Sequence, residues 1–168
     1  MTCPDCGHPN IDGVDACEHC GQDLSSVDHV RPKTNLHRAI TETPLRELDP
    51  AAALTVPPSE PMARVIKLMQ QNRQGSVLVV DGGKLIGIFT ERDLVNRLTG
   101  KPRDLNTLPV SEVMTKDPKA LREDDTLAFA MHRMAIGHYR HVPIVTPGKP
   151  LRFVSVRGVL RYLHENAR

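Results

Sequence analysis

Apolar residues recur along this chain in a pattern that occurs twice. Met62, Val65, Ile66 and Met69 fall at i, i+3, i+4 and i+7, the spacing of one helix face, and Leu127, Ala130, Met131 and Met134 repeat it 65 residues later. Ser59 and Asp124 stand at equivalent positions ahead of these stripes, and both are residue types that cap helices. Two short apolar runs joined by a turn follow each stripe: SVLVV, DGGK and LIGIF in the first copy, HVPIV, TPGK and LRFV in the second. A second helix is expected from about Glu91 and from Val156. The register runs without a gap from Leu45 opposite Val110 to Leu98 opposite Leu163. Each copy is therefore expected to form strand, helix, strand, turn, strand, helix. A three-stranded sheet with helices on one face leaves its other apolar face open, so two copies are expected to pack together. The methionines are assigned to that core, which their flexible thioethers suit.

The copies differ in their polar residues. GIFTERDL carries Thr90, Arg92 and Asp93 at its strand-to-helix junction, whereas RFVSVRGV carries Ser155, Arg157 and Gly158. T-x-x-D at a helix start is a capping box, contributing about 1 kcal/mol. The same junction presents unpaired N–H groups and the positive end of the helix dipole, which suits an anion. Gly158 can serve neither as a cap nor as a hydrogen-bond acceptor through its side chain. Any site at the second junction is expected to be weaker by about ten- to a hundredfold.

The first 28 residues form a different region. They hold six carboxylates and no Lys or Arg, a net of −6, and the remainder carries +8. All four cysteines lie there, as two C-x-x-C pairs separated by ten residues: Cys3, Cys6, Cys17 and Cys20. Two such turns facing each other make a tetrahedral thiolate cage, the structural preference of zinc. Gly7 and Gly21 directly follow the second cysteine of each pair, where positive φ is often needed. So short a segment needs metal to fold. His8 is read as an exposed turn residue, because four thiolates already close the site. The pattern resembles the short zinc ribbons of bacterial and archaeal regulatory proteins. Thiolates add to the negative charge, so this ribbon is expected to dock on protein and not on nucleic acid. Between ribbon and repeats, residues 25 to 44 read as a linker with one short helical turn, and its Arg31, Lys33 and Arg38 are available to the acidic ribbon.

The strand-helix order, GIFTERDL and YRHVPIV, repeated at constant offset, resemble the cystathionine-beta-synthase (CBS) domain, which occurs in tandem as a Bateman module. The resemblance covers roughly residues 45 to 166. It implies an α+β fold of two β-α-β-β-α CBS repeats packed as a pseudo-twofold Bateman module behind a small zinc ribbon. The division is then 1–24 ribbon, 25–44 linker, 45–103 first repeat and 104–168 second repeat. It implies a non-catalytic sensor that binds an adenosyl nucleotide (AMP, ADP, ATP or S-adenosylmethionine-like). Thr90 would contact phosphate or ribose and Asp93 the ribose hydroxyls, with Arg92 neutralising phosphate. Adenine would lie by Val56, Pro57 and the backbone near Val77. His138 and Arg140 are the candidate phosphate partners from the second repeat, with Ser155 and Arg157 at the weaker junction.

The resemblance also implies a homodimer through the CBS repeats and an unidentified protein partner. Aromatic residues are 3% with no Trp, and the basic residues form no stripe, which leaves nucleic-acid binding as the weakest reading. A ligand-independent assembly adaptor is the stronger alternative. No nucleophile or metal-protease signature occurs among the eight histidines, so no active site is expected. Neither a membrane-length apolar run nor a secretory leader is read, which makes the cytoplasm the expected address.

Overall fold

In the computed structural model the described residues are 1–3, 5–11, 13–25, 34–100 and 102–166, so Arg31 and Lys33 of the linker lie outside them. Helix α1 (Asn35–Glu42) opens where Thr34 Oγ1 accepts the His37 amide. A 3-10 turn follows at Leu45–Leu48, then β1 (Ala51–Ala52), β2 (Thr55–Val56) and α2 (Met62–Asn72). The hairpin β3 (Ser76–Asp81) and β4 (Lys84–Thr90) leads into α3 (Glu91–Asp93), which continues as a π-helical turn over Leu94–Leu98. A second 3-10 turn at Val110–Glu112 precedes β5 (Thr115–Lys116), α4 (Leu127–Gly137), β6 (His141–Ile144), β7 (Arg152–Ser155) and α5 (Val156–Asn166). Among the described residues, no helix is long and apolar enough to cross a membrane.

Two compact units result: Ala52–Ala120, and Met1–Ala51 together with Leu121–Arg168. Gly82 and Gly83, both at positive φ, make the tight turn of the first unit's β3–β4 hairpin. The sheet order there is β2-β3-β4-β5, with β2 parallel to β3. In the other unit β6 and β7 are antiparallel, in a sheet ordered β1-β7-β6. The parallel bridge of Leu121 to Ile144 reproduces the Val56–Val79 pairing at the 65-residue offset.

Both sheets include an edge strand that the repeat pattern assigns elsewhere. β5 belongs to the opening segment of the second repeat in sequence but pairs with β4 of the first, Gly87 opposite Lys116. Likewise β1, in the opening segment of the first repeat, flanks β7 of the second. The opening segments of the two repeats are thus exchanged, and the cores follow. Val110, Val113 and Met114 are buried with Met62, Val65, Met69, Val77 and Phe89. Leu45 and Leu48 are buried with Leu127, Ala130, Val142 and Val154. The boundaries of the compact units are therefore displaced from a division at residues 103 and 104.

The exchange also explains how the helices begin. Pro61 stands at the α2 N-cap and offers no side-chain acceptor, while Ser59 lies outside the helix. The first amides are satisfied by backbone instead: Met62 N donates to Leu108 O and Ala63 N to Leu105 O, both at 2.9 Å. In the other unit Leu127 N donates to Thr43 O at 2.8 Å, again at the 65-residue offset. There Thr126 also supplies a side-chain cap to the Phe129 amide, and Asp124 pairs with Arg46 instead of capping. The expected caps Ser59 and Asp124 are corrected accordingly. Three of four positions in each methionine stripe are buried, with Met62 and Leu127 fully enclosed, while Ile66 and Met131 are half-buried against the same cores.

Candidate functional site

Each C-x-x-C pair folds into a turn that directs its sulfurs inward. Gly7 N donates to Cys3 O and Cys3 N to His8 O; Gly21 N donates to Cys17 O and Cys17 N to Gln22 O. Gly7 and Gly21 take φ of 68° and 76°, the left-handed conformation that closes such turns. The sulfurs of Cys3 and Cys20 lie 3.7 Å apart and those of Cys6 and Cys17 3.5 Å apart. All four fall within 4.8 Å of one another. A tetrahedron with Zn–S bonds of about 2.3 Å has edges of about 3.8 Å, so the donor set fits a four-coordinate thiolate-bound ion. His8 is not in the group; it stacks on His19 with ring centroids 5.4 Å apart.

Asn10 is a further member of this site that the cysteine spacing does not signal. It is buried, its Nδ2 donates to Cys17 Sγ at 3.6 Å, and its Oδ1 accepts the Glu18 amide at 3.1 Å. Desolvation opposes ionisation of Cys17, but the Cys20 and His19 amides and Asn10 bring its thiol down to about 6. The Gln22 amide favours the Cys20 thiolate, but desolvation and the neighbouring cysteines push it up to about 12. Four thiolates cannot share so small a volume without a cation, and a bound dication would relieve that conflict.

The ribbon has a small core of Cys3, Val14, Cys17 and Leu24, against which Phe129 of α4 packs. Arg133 Nη1 and His132 Nε2 of the same helix each lie 2.5 Å from a Glu18 carboxylate oxygen. The acidic module therefore finds its basic partners on α4. Arg38, which the linker reading offered to the ribbon, pairs with Glu42 in its own helix at 3.9 Å.

At the first repeat's junction the capping box is complete. Asp93 N donates to Thr90 Oγ1 at 3.4 Å, and Asp93 Oδ2 accepts from Thr90 N at 3.0 Å and Thr90 Oγ1 at 2.7 Å. Asp93 is buried, and its other oxygen is also engaged. Oδ1 accepts from Thr115 Oγ1 at 3.2 Å and lies 3.2 Å from Arg97 Nε. Arg97 then donates to Val113 O, Met114 O and Thr115 Oγ1. Asp93 and Arg97 together strap the exchanged segment to the helix. An open pocket of about 640 Å³ beside them is lined by Arg97, Ser111, Glu112, Met114, Thr115 and Lys116.

Sequence reasoning did not single out Arg97 or Thr115. Arg97 was visible as the i+4 partner of Asp93; Thr115 becomes a neighbour only through the exchange. Arg92 is exposed, as is Pro57, while Val56 and Val77 are buried in the core. Val56 lies on β2, at the opposite edge of the sheet from the β5 strand that borders Asp93. Its side chain packs in the first unit's core, and Val77 enters the adenine assignment through its backbone alone.

A family model for the CBS domain matches residues 45–100 and 110–165. The chain belongs to the CBS-domain family. An uncharacterized 17.7 kDa protein of Acidianus ambivalens is 33% identical over 123 residues, covering 72% of this chain and 73% of that protein. The CBS domain-containing protein CBSCBSPB5 of Arabidopsis thaliana is 32% identical over 120 residues, 71% of this chain. The match spans 22% of that relative's length. The crystal structure of a CBS-domain containing protein from Agrobacterium tumefaciens superposes with a TM-score of 0.65 at 29% identity, covering 71% of this chain and 98% of that one. The matched CBS repeats begin at Leu45, after the cysteine ribbon and α1.

In the second CBS repeat the junction is simpler. Ser155 Oγ accepts the Gly158 amide at 3.2 Å, which is half of a capping box. Arg157 is exposed. His138 is exposed at the left-handed end of α4, φ 53°, and Arg140 is exposed after it, its carbonyl accepting the Val156 amide. Tyr162 occupies the position equivalent to Arg97, and its hydroxyl lies 3.2 Å from Thr43 Oγ1.

Proposed function

We propose that this chain is a non-catalytic regulatory protein whose CBS pair binds an adenosyl nucleotide and whose ribbon holds structural zinc. The observation that carries the nucleotide reading is the Thr90–Asp93 junction, where a buried carboxylate and a helix start meet beside an open pocket. In this reading a ribose hydroxyl takes Asp93 Oδ1 in place of Thr115, and phosphate is met by the helix-start amides with Arg92. His138 and Arg140 supply further positive charge, and Ser155 with Arg157 forms a weaker second site. Binding regulates a partner by favouring one arrangement of the protein, as a homodimer in the cytoplasm. Calorimetric titration of AMP, ADP, ATP and S-adenosylmethionine tests this on the wild type and on Asp93→Asn. At least one should bind the wild type at sub-millimolar concentration and bind Asp93→Asn more weakly. No binding by any of the four overturns the reading.

A second reading, a ligand-independent assembly adaptor, is favoured by the saturation of Asp93: protein groups already occupy both its oxygens. Native mass spectrometry of the purified protein separates the two. A retained nucleotide mass supports the sensor, and a bare chain mass the adaptor.

A further inference from the structure

Helix α4 reads LAFAMHRMAIG and is apolar nearly all round, as expected of a helix covered on more than one side. One side packs into the second CBS repeat through Leu127, Ala130 and Met134. The other side carries Phe129, His132 and Arg133, which meet the ribbon. The equivalent positions of α2 are Arg64, Lys67 and Leu68, of which Arg64 and Lys67 are exposed. The repeats have therefore diverged on the helix face that the ribbon covers.

Glu18 is only 14% exposed and sits between Arg133 and His132, the latter 11% exposed. The Arg133 guanidinium also lies 4.9 Å from the centre of the Phe129 ring. On the ribbon side, the Glu18 amide is fixed by Asn10 Oδ1, and the Asn10 amide nitrogen is fixed on Cys17 Sγ. A continuous chain of contacts thus runs from the cysteine cage through Asn10 and Glu18 to α4. At its far end α4 passes directly into His138 and Arg140.

We propose that the ribbon is a metal-dependent clasp on α4, so that its docking partner is the second CBS repeat of its own chain. The ion fixes Cys17, and through it Asn10 and Glu18. When the ion is lost, Glu18 and the Phe129 contact lose their support and α4 loosens together with the segment that follows it. This inference rests on the cage holding a metal, which elemental analysis of the same sample tests separately.

The test is hydrogen exchange by mass spectrometry on the full chain, zinc-loaded or stripped with a chelator. Peptides covering residues 127–137 are compared with peptides covering 62–72. Stripping should speed exchange in α4 by about ten- to a hundredfold, the factor matching loss of a charge-assisted hydrogen bond, and leave α2 unchanged. Glu18→Gln, with zinc still bound, should speed α4 exchange in the same direction. Unchanged α4 exchange in metal-bearing protein that has been stripped overturns the clasp while leaving the metal site standing. An equal rise in α2 and α4 also overturns it, because the metal would then support the whole chain. A sample that neither contains nor takes up zinc removes both the metal reading and the clasp.

Discussion

Exchanging the carboxylate between the repeats separates two roles for Asp93. If it is only half of a capping box, Asp93→Gly and Gly158→Asp should change stability by similar amounts in opposite directions. The structure predicts otherwise. At position 158 the backbone is not left-handed, an added Cβ would meet Ser155 Oγ at an ordinary 3.6 Å, and Ser155 already accepts the local amide. Asp there completes the box and improves on glycine's helix propensity, a gain of about 1 kcal/mol. Removing Asp93 loses the same contribution. It also loses the partly buried hydrogen bond from Thr115, worth roughly 1.5–3 kcal/mol to a charged acceptor. The pair with Arg97, whose side chain is 40% exposed, adds at most about 1 kcal/mol. Asp93→Gly should therefore cost about 2.5–5 kcal/mol, several times what Gly158→Asp returns. Urea unfolding followed by circular dichroism measures both, since the chain has no Trp to report by fluorescence. Equal and opposite changes would refute the strap, and destabilisation by Gly158→Asp would refute the geometry assigned to the second junction.

Gly87→Ala should cost about 1–3 kcal/mol, because its Cβ would fall 2.2 Å from Sδ of the buried Met114; urea unfolding should show partial recovery when Met114→Ala is added. Thr126→Ala should cost about 1 kcal/mol by the same assay, while Ser59→Ala and Asp124→Ala stay within about 0.5 kcal/mol, since neither caps a helix. Elemental analysis should find about one zinc per chain, and Cys17→Ser should lower that occupancy.

What could be read from the chain followed from periodicity. The helix stripes, the hairpins and the junctions at Thr90 and Ser155 all carry local patterns, and a repeat at fixed offset reinforces each one. β1 and β5 are two residues long, too short to show alternation, so the segment exchange left no trace in the hydrophobic pattern. The Ser59 and Asp124 assignments failed for the same reason: the exchanged segments bring Leu105, Leu108 and Thr43 carbonyls to the helix starts. The cysteine cage was legible because its ligands are close in sequence. Its contact with α4 was not, because Glu18 and Arg133 are 115 residues apart and each alone reads as a surface charge.

The loss of the carboxylate in the second repeat has a counterpart four residues further on. Arg97 needs an anion, because its guanidinium crosses from the helix to the carbonyls of Val113 and Met114, and Asp93 supplies one. At the equivalent position Tyr162 reaches Thr43 through a neutral hydroxyl contact, which needs no anion. Asp93 with Arg97, and Gly158 with Tyr162, are therefore alternative ways for the helix to hold an incoming segment. In the proposed reading, a ligand that draws Asp93 Oδ1 away from Thr115 weakens the first strap while the second has no carboxylate to compete for. The asymmetry would then direct the structural response to the first repeat, at residues Val113 to Thr115.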